Sequence, residues 1–222
     1  SGSITYYKED GSEIRLDQLE KNGKEMRSLR GQDIAIIFQE PMTALNPVFT
    51  VGYQIEEMLR EHKKGLTKAQ YKQEAIEDLA DMGIPAPEIR YGEYPHQFSG
   101  GMRQRSMIAM GMSCEPKILL ADEPTTALDV TISAQIFDLM NELKEKHGTA
   151  IMMITHNMGV VAEMADEVAV MYMGNIVEYG KAEDIFTNPT HPYTKALLKS
   201  IPILGKGKNQ KLEPIRGSTP DP

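Results

Sequence analysis

The chain has 222 residues, 41% hydrophobic and 25% charged, which is enough for one large α/β domain or one domain carrying an inserted subdomain, and excludes a disordered composition. A net charge of −8, from 24 basic against 32 acidic residues, argues against nonspecific binding to nucleic acid or anionic lipid; no apolar run approaches the ~20 residues needed to cross a bilayer. Ser1-Gly2-Ser3-Ile4 lacks the basic and apolar stretches of a signal peptide, and the single cysteine, Cys114, rules out a disulfide within the chain, consistent with a reducing cytoplasm.

Residues 3–7 and 13–19 read as short strands joined by the turn Glu9-Asp10-Gly11. The apolar run Asp33–Phe38 reads as a strand buried on both faces, and Gln39 to Pro47 as a loop, rich in proline and capping residues. Amphipathic helices are expected over 52–62, with Ile55, Met58 and Leu59 on one face, and over 67–82, opening at Thr67. A loop with Pro85, Pro87 and Pro95 leads to a helix starting near Ser99. Its Met102, Met107, Met110 and Met112 read as core packing, and Cys114 as a buried, inert thiol. Strand 117–121, helix 131–146, strand 149–155 and helix 157–164 follow in alternation. Strands 167–172 and 175–179 then form a hairpin across Met173-Gly174. That order marks a mostly parallel sheet wrapped by helices, interrupted by a helical block from about 48 to 112. The basic run Lys206 to Lys211 reads as a solvated linker.

Two stretches carry chemistry. Ser99-Gly100-Gly101 at a helix start leaves backbone N–H groups bare; Ser99 is a natural N-cap, but a cap does not call for two glycines, and close approach of an anion explains them better. The strand Ile118-Leu119-Leu120-Ala121 ends in Asp122-Glu123, placing a carboxylate suited to Mg²⁺ beside a candidate general base where α/β sheets bind ligands. His62, His96, His147 and His191 have no metal-ligand spacing and read as surface or structural.

Together, Phe98 to Arg105 and Ile118 to Pro124 resemble the signature and Walker B motifs of ABC-type ATPases, and the resemblance extends over nearly the whole chain. It implies a P-loop NTPase-like, RecA-like core with an inserted helical subdomain, using ATP and Mg²⁺. Asp122 would hold the metal, Glu123 would polarise the attacking water, and His156 would be the switch histidine bonded to the γ-phosphate. Gln39 would be the Q-loop glutamine reaching metal or water. Ser99, Gly100, Gly101 and Gln104 would face a nucleotide held by a second ATPase chain, and Asp129, in the D-loop Ala127-Leu128-Asp129, would lie between the two chains. The implied divisions are core 1–47, helical subdomain 48–112, remainder of the core 113–189 and C-terminal extension 190–222. Gln39-Glu40-Pro41 with Leu45-Asn46-Pro47, and Phe186 to Thr194, look more narrowly like the ATP-binding subunits of oligopeptide and dipeptide importers, whose close relatives handle nickel or glutathione. The implied partners are a second ATPase subunit and membrane permeases, with an extracytoplasmic solute-binding protein acting indirectly. The implied location is the cytoplasmic face of the membrane.

The phosphate-cradling pattern Gly-x-x-x-x-Gly-Lys-Ser/Thr occurs nowhere in the chain. In the family that loop precedes the equivalent of residue 1. The expectation is therefore a truncation at residue 1, a sheet lacking the phosphate-loop strand and its helix, exposed apolar surface that favours self-association, and no ATP hydrolysis by the isolated chain. Two other readings stay open: a soluble ABC protein without a transporter, and a non-catalytic interaction module.

Overall fold

A computed structural model describes residues 2–8, 10–40, 44–126 and 128–200, which fall into two units, Ser1–Ile154 and Thr155–Pro222. Glu9 of the expected first turn, Pro41-Met42-Thr43 of the loop after Gln39, Ala127 and the basic run 206–211 lie outside the described residues.

In the first unit, β1 (Thr5–Tyr7) and β2 (Glu13–Arg15) pair antiparallel with Tyr6 opposite Ile14, and these two side chains bury Leu29 of α1 (Lys24–Leu29). The strand expected to run to residue 19 ends at Arg15. The cause is Asp17, whose carboxylate accepts from the Arg15 guanidinium at 2.8 Å and from the Ile4 amide at 3.0 Å, curling Leu16–Gln18 into a 3-10 turn.

The parallel sheet has the order β3 (Ile34–Ile37), β4 (Ile118–Asp122), β5 (Ala150–Ile154), as the strand–helix alternation implies. Ile37 pairs with Ala121, and Ala121 with Met153. Successive side chains alternate between faces. Ala35, Ile37, Leu119 and Ala121 are buried on one face, beneath α5 (Gly100–Met112); the space left by the absent Gly111 side chain lies 3.8 Å from Leu119 and 3.9 Å from Ile37. The opposite face is open: Ile36 is 47% exposed, Met152 60% and Ile154 50%. The expectation that β3 is buried on both faces is thus corrected, because among the described residues helices cover only one side of the sheet.

Between β3 and β4 come α2 (Val51–His62), α3 (Lys68–Asp81) and the short α4 (Pro87–Arg90). Thr50 caps α2, while Thr67 and Gln70 form a reciprocal capping box on α3. Both helices bury the stripes their periodicity requires: Val51, Ile55 and Leu59 on one, Tyr71, Ala75 and Leu79 on the other. A Cβ on Gly52 would fall 2.1 Å from the Tyr91 ring, so glycine lets this loop close on α2. The Tyr91 hydroxyl donates to the buried Glu56 carboxylate, which also pairs with Arg60. The proline-rich loop is therefore partly helical, with a 3-10 turn at Pro95–Gln97 before α5. After β4, α6 (Val130–His147) buries Ile136, Leu139, Met140 and Leu143 and stops at Gly148, whose φ is +66°. Cys114 lies just past α5 and is half-buried rather than buried, its thiol pushed up chiefly by desolvation.

The second unit holds α7 (Met158–Met164), the expected hairpin of β6 (Glu167–Tyr172) and β7 (Asn175–Lys181), and two helices the sequence pattern did not indicate, α8 (Ala182–Thr187) and α9 (Pro192–Lys199). Met173 at φ +52° and Gly174 at φ +73° make a two-residue turn whose left-handed residues match the strand twist. Val168, Val170, Ala182 and Ile185 form its core. Glu178 on β7 draws in the segment before α9: the Thr194 hydroxyl lies beside it, and the amides of Thr190 and His191 and the Thr190 hydroxyl donate to it, which together lower its pKa to about 2. No described helix is long and apolar enough to cross a membrane.

Candidate functional site

The carboxylate pair sits where β4 runs out. Strand alternation puts Asp122, which is exposed, on the same open face as Leu120, and the register aligns it with Ile154. Glu123 leaves the strand in a left-handed conformation, φ +43°. Its amide still donates to the Ile154 carbonyl at 2.9 Å, and its carbonyl accepts from the Thr126 amide at 3.1 Å. A non-glycine residue in that region costs on the order of 1–3 kcal/mol and persists where the surroundings over-determine it.

Parallel pairing of Ile37 with Ala121 carries Gln39 to the level of Glu123, two residues further on. The Gln39 Nε2 donates to Glu123 Oε2 at 2.8 Å across 84 residues of sequence, and the Thr126 hydroxyl donates to the same oxygen at 2.8 Å. The structure therefore brings Gln39, Asp122 and Glu123 to one corner of the sheet. Thr126 was not singled out from the sequence. Its signal was a hydroxyl residue three positions after the glutamate in Asp122-Glu123-Pro124-Thr125-Thr126, close enough for its side chain to turn back.

Ser99, exposed, caps α5 by accepting from the Met102 amide at 3.3 Å, and Asp129, also exposed, caps α6 by accepting from the Ile132 amide at 2.9 Å. The two helix starts touch. A Cβ on Gly101 would lie 2.9 Å from Ile132, and one on Gly100 3.5 Å from Leu128. Gly101 thus has a packing reason beside the chemical one, while Gly100 is held by no such contact. Gln104 is 1% exposed and its Nε2 has no hydrogen-bond partner, so it is not at the surface with Ser99 and the glycines. Arg105 ties α5 to its surroundings, donating to the Met82 carbonyl at 2.7 Å and to Gln135 at 3.2 Å. Ala127 of the expected D-loop lies outside the described residues. His156 belongs to the second unit, exposed ahead of α7, where Asn157 caps the helix by accepting from the Gly159 amide.

Among the described residues no trio of His, Cys, Asp or Glu could enclose a metal. Asp122 and Gln39 offer two oxygen donors at this corner, the hard-ligand type that Mg²⁺ takes in ones or twos when it arrives with phosphates.

The family described as ABC transporter matches residues 2–126, more than half of the chain, and the oligopeptide/dipeptide transporter C-terminal region matches residues 177–222. The dipeptide transport ATP-binding protein DppD of Bacillus subtilis is 56% identical over 89% of this chain and 58% of its own length. A putative peptide import ATP-binding protein of Brucella melitensis is 49% identical over 99% of this chain and 66% of its own length. The chain thus spans less than two thirds of each relative. Among solved structures, a dimeric post-hydrolysis state of an ATP-binding cassette bound to ADP and Pi superposes with a TM-score of 0.68 at 26% identity, covering 80% of this chain and 73% of that one.

Proposed function

The chain belongs to the ABC transporter family, and from that premise we propose that it serves as the ATP-binding and hydrolysing subunit that energises an importer of oligopeptides or dipeptides. The observation that carries this reading is the convergence of Gln39 and Thr126 on the Glu123 carboxylate, next to Asp122 at the end of β4. Carboxylates at that position in an open α/β sheet face the crevice where ligands bind.

Bound Mg²⁺ would supply charge neutralisation on the transferring phosphoryl group. Asp122 would hold that metal, directly or through water, with Gln39 as a second oxygen donor. Glu123 orients the attacking water and accepts its proton. His156 donates a hydrogen bond to the γ-phosphate. Ser99, Gly100 and Gly101 present the start of α5 to a nucleotide held by a second ATPase chain, with Asp129 at that interface. Gln104, buried here, takes no direct contact in this scheme. Closure of the two chains is passed to permease subunits through the segment after Gln39, at the cytoplasmic face of the membrane. Peptides as cargo are supported by the match of residues 177–222 and by the names of the relatives.

The test is Glu123→Gln in the protein expressed from its complete gene and reconstituted with its membrane partners. Turnover should fall by about 10²–10⁴, the usual worth of a general base, while ATP binding persists. A variant that hydrolyses like wild type removes Glu123 from the role assigned to it, and a wild-type protein that neither binds ATP nor drives peptide uptake defeats the reading as a whole.

A further inference from the structure

We propose that Thr126 is a positioning residue for the Glu123 carboxylate, acting through its hydroxyl; this rests on the reading of Glu123 as the residue that orients water. Two donors meet on one carboxylate oxygen: Gln39 Nε2 and Thr126 Oγ1, each 2.8 Å from Glu123 Oε2. Their origins differ. Gln39 comes from the end of β3, 84 residues away, so its contact depends on the placement of a separate strand. Thr126 lies three residues on in the same turn and moves with Glu123.

The hydroxyl is not needed to form the turn. The Thr126 amide already closes it on the Glu123 carbonyl at 3.1 Å, and the Glu123 amide is fixed to Ile154 at 2.9 Å. With the backbone braced at both ends and held at φ +43°, what remains to be set is the rotation of a long, flexible side chain. A general base works only within hydrogen-bond reach of the proton it takes, so a fixed oxygen removes rotamers that point away. The Thr126 hydroxyl supplies such a restraint from within the turn itself, independent of where β3 places Gln39.

The experiment measures kcat and KM for ATP, with the melting temperature of each variant, in the protein expressed from its complete gene and assembled with its partners. Thr126→Val, which keeps the side-chain shape, should lower kcat about tenfold, the worth of one hydrogen bond to a charged group, with KM changed less than about twofold. Thr126→Ser should restore kcat to within about twofold of wild type. In a Glu123→Gln background, Thr126→Val should cost nothing further. The proposal is overturned if the valine variant keeps full kcat, if serine and valine lose kcat equally, or if KM alone rises. Should valine prevent folding, the alanine and serine pair decides by the same criteria. Absence of turnover in wild type, by contrast, would defeat the functional reading rather than this one.

Discussion

Gln104 shows how far a motif carries and where it stops. The resemblance places it with Ser99, Gly100 and Gly101 against a nucleotide, yet in the fold it is 1% exposed with an unpartnered Nε2, and a buried amide donor without an acceptor costs free energy. Gln104→Met, similar in volume and without that donor, is expected to raise stability by about 1 kcal/mol, read from the denaturant midpoint. A loss of stability would mean the amide is satisfied in solution. The neighbouring glycines divide in the same way: a Cβ on Gly101 would press on Ile132 at 2.9 Å, while one on Gly100 would make an ordinary contact with Leu128 at 3.5 Å. That Glu123, Asp122 and Gln39 stand where strands run out was legible because each follows an apolar run, and strand ends are set by local sequence. Thr126 was not, since one threonine in a turn looks like any other until its hydroxyl is seen 2.8 Å from the carboxylate.

At the scale of elements, α3, α5 and α6 line an open cleft of about 360 Å³ whose walls include Asp78 and Glu115. Asp78 has one carboxylate oxygen buried without a partner. Desolvation is the main cause that lifts its pKa from 3.8 to about 7; Lys63 opposes the shift, while Glu74, Asp81 and Glu115 add to it. Glu77, Lys146 and His147 also face the cleft, with Lys146 paired to Asp81 at 2.6 Å. A raised carboxyl pKa means that the fold retains a proton the unfolded chain has released. Stability should therefore decline as pH rises from about 4 to about 7, by at most about 1.4 kcal/mol per pH unit, and level off above. Asp78→Asn removes that slope, so its melting temperature should match wild type near pH 4 and exceed it increasingly up to pH 7. Parallel pH profiles for the two proteins would contradict the assignment. Helices α2, α3 and α6 announced themselves by caps and apolar periodicity over 12, 14 and 18 residues. Helices α1, α8 and α9 span only 6, 6 and 8 residues, too few turns for a periodic stripe to stand out, and their positions depend on contacts such as Leu29 against Tyr6 or the pull of Glu178 on Thr190 and His191.

For the molecule as a whole, the 222 residues carry the Asp122-Glu123 pair at the end of β4 and the Ser99-Gly100-Gly101 start of α5 but no Gly-x-x-x-x-Gly-Lys-Ser/Thr. Calorimetry with Mg-ATP on this chain alone should give no heat of binding at millimolar nucleotide, because the backbone amides and lysine that hold the β- and γ-phosphates account for much of the affinity of such sites. Micromolar binding would mean that the described motifs, or a dimer of them, form a nucleotide site of another kind. The sequence alone determined the class of fold, the order of the strands along the chain, and the residues at their ends, because alternation, capping and the stretches at 99–105 and 118–124 are local and survive without neighbours. Only the tertiary structure decided which face of the sheet is covered, that Gln104 is buried, and that Gln39 and Thr126 share one oxygen of Glu123. Those depend on register and packing between segments up to 84 residues apart, and a linear pattern does not encode which partner a side chain meets when the chain closes on itself.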